Sequence, residues 1–210
     1  MLQQWYGLSD ARTEEALADR ISFRQFVGLG LADAVPDHTT ICRFRSQVGD
    51  RLEGLIAALN RQFERSGYIV KQGTLLDASF VKASSGKRAV DPEAGRYGQN
   101  PRGRVSGYKA HVGVDQGSGL VRRVVVTPAN VNDTVVADAL IVGDEAGVYA
   151  DKAYDTKVRR ARLEARGVFA GLMHRPKRLE PLTEVQTAFN KAVGKVRAPV
   201  ERVFAVLKEH

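Results

Sequence analysis

The run Thr74-Leu75-Leu76-Asp77-Ala78-Ser79-Phe80-Val81 sets one carboxylate inside an otherwise apolar strand, and no other stretch constrains the chain as much. An ionised carboxylate is costly to bury unless charges, hydrogen bonds or a metal compensate it. Asp77 therefore needs partners from elsewhere. A second short apolar strand, Val148-Tyr149-Ala150-Asp151, ends in a carboxylate of its own. If these strands pair at the centre of a sheet, the two acids meet at one edge. A third acid lies near the end of the chain, where Arg197, Glu201 and Lys208 recur at 0, +4 and +11 and so share one helical face. Beside them runs an apolar stripe of Val200, Val203, Phe204 and Leu207. Taken alone, Glu201 is better explained by an ordinary ion pair on a solvated helix, worth a few tenths of a kcal/mol. Packed across the sheet edge, the same helix brings Glu201 to Asp77 and Asp151. Three acids so placed suit two Mg²⁺ ions roughly 3.5–4 Å apart, which drive in-line displacement at phosphorus.

The pattern predicts an α/β chain: a mixed sheet flanked by helices, preceded by a small all-α N-terminal module. Residues 1–67 form the helical module, serving DNA-end binding or dimerisation, and residues 68–210 form the α/β domain. In the module, Ser9 caps a helix through Arg20 with Leu17 and Ile21 inward, and Phe23, Phe26 and Val27 extend the apolar face. A short helix over Ile41–Gln47 and a longer one over Asp50–Ser66 follow, the second ended by Gly67. Beyond Gly67 come a long loop over 84–107, strands over Tyr108–Asp115 and Leu120–Thr127, and a helix over Val135–Val142. A basic helix over Lys157–Arg166, capped by Asp155, and a strand over Val168–Met173 lead to a final helical region broken at Pro199.

Charge is unevenly shared. Residues 1–67 carry 8 basic and 9 acidic side chains, so the whole excess of +8 lies beyond them. Lys82–Lys109 has 7 basic against 2 acidic residues, and Lys152–Arg178 has 9 against 2. Between them lies an acidic stretch with Asp133, Asp138, Asp144, Glu145 and Asp151. Basic flanks around an acidic centre suit a polyanion held beside metal-binding carboxylates, with solvated surface charge as the plainer alternative. One cysteine, Cys42, excludes an internal disulfide and a multi-cysteine zinc site. No signal peptide or membrane span is legible, which points to the cytoplasm.

Five segments resemble the successive motifs of bacterial insertion-sequence transposases with an Asp-Asp-Glu triad. They are Leu76-Asp77-Ala78, Gly107-Tyr-Lys-Ala-His111, Pro128-Ala-Asn-Val-Asn-Asp133, Tyr149-Ala-Asp151-Lys-Ala-Tyr-Asp155 and Arg197 to Lys208. The likeness is to the insertion-sequence-five family of the insertion-sequence-four superfamily. It extends to Trp5-Tyr-Gly-Leu-Ser-Asp10, Phe23-Arg-Gln-Phe26 and Pro36-Asp-His-Thr-Thr40. The superfamily's C-terminal signature has a tyrosine where this chain has Gly194.

The resemblance implies an RNase H-like catalytic domain with Asp77, Asp151 and Glu201 as catalytic metal ligands. It further implies Mg²⁺, with Mn²⁺ as substitute, and cleavage and strand transfer at inverted-repeat ends of double-stranded DNA. Arg197, Lys208, Lys109, His111 and Lys152 are the expected DNA contacts, with His111 equally readable as a structural histidine. A homodimer or higher assembly on DNA is expected, in the bacterial cytoplasm at the nucleoid. Family members usually extend past both ends of this chain, so truncation is expected too. A catalytically inactive DNA-binding remnant or regulator is the alternative.

Overall fold

The computed structural model describes residues 1–82, 97–100, 103–176 and 180–208. They group into two compact units, one centred on Met1–Leu55 and one comprising Ile56–Ala205.

The first unit holds α1 (Leu2–Tyr6), α2 (Asp10–Asp19), α3 (Ile21–Phe26) and the start of α4 (His38–Arg65). Ser9 caps α2 as expected, its hydroxyl accepting from the Arg12 N–H. Leu2, Ala16, Leu17 and Phe23 make the core, with Leu8, Val35 and Ile41 against it. Ile21, Phe26 and Val27 are exposed instead of inward, because the short α3 turns Phe23 and Arg24 to the interior. Arg24 is buried, and its guanidinium donates to the carbonyls of Gly30, Leu31 and Asp33, which wraps the following loop around it.

The two helices expected over 41–47 and 50–66 are a single 28-residue helix, α4. An internal glycine costs about 1 kcal/mol relative to alanine, too little at Gly49 to interrupt so long a ladder. The cap is Asp37, whose carboxylate accepts from the Thr40 N–H at 2.6 Å and the Thr39 hydroxyl at 2.8 Å. Those bonds hold its pKa down at about 2. Gly67, at φ 72°, provides the left-handed stop after α4.

The second unit is built on a six-stranded sheet: β1 (Thr74–Lys82), β2 (Tyr97–Asn100), β3 (Gly103–Asp115), β4 (Val121–Pro128), β5 (Gly147–Ala150) and β6 (Phe169–Leu172). The order is β2-β3-β1-β5-β6, with β4 also paired to β3. β3 is antiparallel to β1, β2 and β4, whereas β5 is parallel to β1 and to β6. Part of the loop expected over 84–107 is therefore strand, since β2 and the start of β3 make a hairpin; its residues 83–96 and 101–102 lie outside the described ones.

Strand alternation sends neighbouring side chains to opposite layers. Leu76, Val148, Ala150 and Leu172 pack under α5 (Asp133–Leu140) and α6 (Lys157–Ala165) through Ala137, Leu140, Tyr154 and Leu163. Leu75, Val112, Val114 and Tyr149 face the other way, onto Val196 of α7 (Glu184–Arg197) and Val200, Val203 and Phe204 of α8 (Val200–Lys208). α6 is capped by Thr156, not Asp155, which pairs with Arg160 at 2.7 Å instead.

Tyr149 is walled by three glycines. A Cβ on Gly171 would stand 2.5 Å from its ring, one on Gly73 2.7 Å and one on Gly147 3.1 Å. At the same end of the parallel strands, Arg122 grips Asp144 with both terminal nitrogens at 2.8 and 2.9 Å, and Lys71 joins Asp144 at 3.0 Å. The buried Asp115 accepts from the N–H groups of Val70, Lys71 and Ser118 and from the Ser118 hydroxyl.

Two outcomes follow from this packing. Gly171→Ala forces the Tyr149 ring aside and lowers unfolding free energy by about 1–3 kcal/mol in urea; Tyr149→Leu in the same chain recovers part of it. The Arg122 hydrogen bonds hold the Asp144 pKa at about 2, below the unfolded value. Its contribution is thus complete above pH 4 and lost as pH falls toward 2. Asp144→Asn costs about 1–2 kcal/mol at pH 7, discounted because the carboxylate is partly solvated, and it flattens the acid limb of a stability–pH curve.

Candidate active site

The parallel register of β1 and β5 pairs Thr74 with Val148 and Leu75 with Tyr149. Two residues further along each chain stand Asp77 and Asp151, so the acids leave adjacent strands side by side. Alternation puts Asp77 on the Leu75 face and Asp151 on the Tyr149 face, which is the α7/α8 side of the sheet. Each carboxylate is anchored at one oxygen: Asp77 Oδ1 accepts from the Ala78 N–H at 2.9 Å, and Asp151 Oδ1 accepts from the Ala153 N–H at 2.8 Å. The other oxygens are left to face whatever approaches from that side.

Burial pushes the Asp77 carboxyl up, and the Asp151 and Asp133 charges push it further; Arg197 and the Ala78 N–H act against them. The Arg197 guanidinium stands 3.6 Å from Asp77 Oδ2. Two carboxylates with anchored outer oxygens and excess negative charge are an oxygen donor pair of the kind that Mg²⁺ or Mn²⁺ takes. Among the described residues, no three acidic, histidine or cysteine side chains converge closely enough to hold a metal.

Glu201 is the reason. It lies in the first turn of α8 and is exposed, and it does not converge with the other two acids. Pro199 has no N–H, and the chain restarts through tight bonds from Glu201 N–H to the Ala198 carbonyl and from Arg202 N–H to the Pro199 carbonyl. α8 then turns Val200 and Phe204 into the core, which leaves Glu201 beside the buried stripe and not under it. The structure thus brings together Asp77, Asp151 and Arg197, with Glu201 one helical turn beyond Arg197.

The remaining candidates divide. Lys152 is exposed immediately after Asp151, free to meet a phosphate. For Lys208 the helix is described but not the side chain. Lys109 and His111, expected to contact DNA, are buried at 8% and 0% exposure. Lys109 Nζ pairs with Asp133 at 2.7 Å and donates to the Val131 carbonyl at 2.6 Å. His111 Nε2 lies 2.9 Å from the Thr127 hydroxyl oxygen. Strand alternation puts both on one face, the one α5 covers. At Gly194, where the superfamily signature has tyrosine, a Cβ would stand 3.2 Å from the Met173 methyl, so methionine occupies the adjoining space.

Sequence reading missed the residues that hold this edge in place. Asn132 caps α5 by accepting from the Thr134 N–H. Arg159 is buried and donates to Asp138 Oδ1, the Thr134 carbonyl and the Tyr154 carbonyl, so it joins α5, α6 and the loop that carries Asp151. An arginine within a run of basic residues gives no sign of such a role, since its acceptors are mostly backbone carbonyls.

Comparison with known proteins identifies the family. The family described as "Transposase DDE domain" matches residues 69–210, and the one described as "Transposase domain (DUF772)" matches residues 1–47. No solved structure matches the chain. With two thirds of its length covered by the first of these families, the chain belongs to the DDE transposase domain family, whose members are DNA transposases acting on phosphodiester bonds.

Proposed function

We propose that this transposase cuts and joins DNA at the inverted-repeat ends of an insertion sequence, of the insertion-sequence-five kind, through a metal-dependent site at Asp77, Asp151 and Glu201. The observation that carries this reading is the pairing of Asp77 and Asp151 across β1 and β5, each fixed by a backbone amide, in a chain of this family. An RNase H-like description of residues 68–210 is supported by the antiparallel strands β1 to β4 followed by β5 and β6, which run parallel to β1. Residues 1–67 then serve as the DNA-end or dimerisation module.

Asp77 and Asp151 would hold divalent cations with Glu201 as the third acid. When bound, such ions activate the attacking oxygen and neutralise the leaving one in displacement at phosphorus. The chain's own residues do the rest. Backbone amides of Ala78 and Ala153 fix the carboxylates' orientation. Arg197, beside Asp77, offers its guanidinium to the phosphate flanking the scissile bond, and Lys152 approaches from the loop. Lys208 extends the same helix. Glu201 would reach the pair by a rotation of α8 at the Pro199 break, where the missing N–H interrupts the helical ladder. The assembly works on double-stranded DNA as a homodimer or larger, in the cytoplasm at the nucleoid.

The separation of Glu201 from the pair favours a second reading, a DNA-binding remnant without catalysis. One assay separates them. With a plasmid carrying the repeat ends and Mg²⁺ or Mn²⁺, the first reading expects end cleavage. That cleavage falls at least about a thousandfold in Asp77→Asn, Asp151→Asn and Glu201→Gln while DNA binding persists. Binding with no cleavage by the wild type establishes the remnant.

A stability measurement gives an independent check. The raised Asp77 pKa means that its charge opposes folding at neutral pH and that this opposition is relieved as pH falls through the folded value. In chelator at pH 7, Asp77→Asn therefore melts above wild type, the amide oxygen still accepting from Ala78 N–H. Added Mn²⁺ reverses the order by stabilising the wild type alone.

A further inference from the structure

Residues 151–154 turn back directly after β5, and their backbone fixes the Asp151 carboxylate. Ala153 N–H donates to Asp151 Oδ1 at 2.8 Å, and Tyr154 N–H donates to the Asp151 carbonyl at 3.1 Å. The Ala153 amide stays aimed at the carboxylate only while the next peptide, Ala153–Tyr154, keeps its plane. That peptide is held at both ends. Its N–H is the one on the Asp151 carbonyl, and its carbonyl accepts from the Thr134 hydroxyl.

Thr134 belongs to α5, on the opposite side of the sheet from α7 and α8, so it reaches Asp151 through the backbone and not by contact. Threonine hydroxyls in helices commonly bond to a carbonyl of their own helix. This one crosses 19 residues to the Ala153 carbonyl. The other polar groups of Thr134 are committed too: its N–H donates to Asn132 Oδ1 at 3.0 Å, and its carbonyl accepts from Arg159 Nη2 at 2.8 Å. With the backbone so fixed and the side chain branched at Cβ, few rotamers remain to the hydroxyl.

The support continues on both sides of this bond. Arg159 also donates to the Tyr154 carbonyl, the next one along the turn, and to Asp138 Oδ1 at 2.8 Å on α5. Lys109 Nζ holds Asp133 at 2.7 Å and the Val131 carbonyl at 2.6 Å, which ties the residues just before Thr134 to β3. Both cations are buried. Buried ion pairs are poor stabilisers, because desolvation offsets their attraction; what these two supply is the placement of Thr134 against the Asp151 turn.

We propose that Thr134 is a positioning residue for Asp151: its hydroxyl fixes the Ala153–Tyr154 peptide, and through it the amide that orients the carboxylate for a divalent cation. This rests on the metal-site reading above. Outer hydrogen-bond partners of metal ligands typically contribute 10–100-fold in metal affinity or activity, and a group acting one peptide further out belongs at the lower end.

The test uses the full chain, with Mn²⁺ as probe. The midpoint of the Mn²⁺-dependent rise in melting temperature is measured for wild type, Thr134→Val, Thr134→Ala, Thr134→Ser and Asp151→Asn, with plasmid cleavage alongside. Valine keeps the shape without the hydroxyl, and serine keeps the hydroxyl. Thr134→Val and Thr134→Ala are expected to melt in chelator within about 4 °C of wild type and to need about tenfold more Mn²⁺, while Thr134→Ser matches wild type. Cleavage by the two hydroxyl-lacking variants falls in proportion at limiting Mn²⁺ and returns at saturating Mn²⁺, which a merely structural lesion would not do. An unchanged Mn²⁺ midpoint in both, with the response abolished in Asp151→Asn, overturns the inference and leaves the metal site standing. A serine variant as weak in Mn²⁺ as the valine one also overturns it, since the hydroxyl is then not the agent. A wild-type melting temperature that ignores Mn²⁺ overturns the metal-site reading and this inference with it.

Discussion

The parallel pairing of β1 with β5 is the contact on which the site depends. Only two residue pairs define its register, Thr74 with Val148 and Leu75 with Tyr149, yet that register sets Asp77 beside Asp151. A slip by one residue would send one acid into the opposite layer, among Leu76, Ala150 and Leu172. The register is held from both faces: Leu75 and Tyr149 pack under α7 and α8, while Leu76 and Val148 pack under α5 and α6. At the far end of the strands, Arg122, Asp144 and Lys71 and the multiply bonded Asp115 fix where β1 begins. Like charges are tolerated at the acidic edge because the uncharged layers and the far-end ion pairs hold the strands there.

The edge is also poised between two chemistries. Arg197 gives Asp77 a cation, but at 3.6 Å and without a short bidentate contact. Burial still dominates, and the carboxyl remains raised. Stability has been given up locally, as is usual where a protein keeps charged groups ready for a ligand.

Much of this was legible beforehand, for identifiable reasons. The strands around Asp77 and Asp151 are readable because both runs are short, apolar and bounded by glycine or a turn. The two acids could be foreseen as neighbours because an acid in an apolar strand has few other uses. Where reading failed, the deciding contacts were remote. Gly49-Asp50 looked like a break, but nothing local reveals that a ladder from His38 to Arg65 outweighs it. Lys109 and His111 lie on alternate residues, so a shared face was readable; which layer covers that face was not, because Asp133 and Thr127 lie 24 and 16 residues away in sequence. Tyr97–Asn100 was lost in a polar stretch, since its partner strand begins in the same stretch. The Glu201 spacing was sound as a helical pattern, but Pro199 interrupts the helix that the spacing assumes.

The glycine wall around Tyr149 carries a consequence for how such a chain can diverge. Gly73, Gly147 and Gly171 come from three separate segments, yet each stands within about one atomic diameter of the same ring. A side chain gained at any of them meets an aromatic ring two residues before Asp151, so it transmits its displacement straight to the acidic edge. A smaller residue at position 149 would relieve the ring contact at all three glycines, although Gly73 still meets Gln116, and would leave a cavity behind. These four positions are therefore one heritable unit: drift at any single member is blocked, and lineages that do change here should differ at several members together.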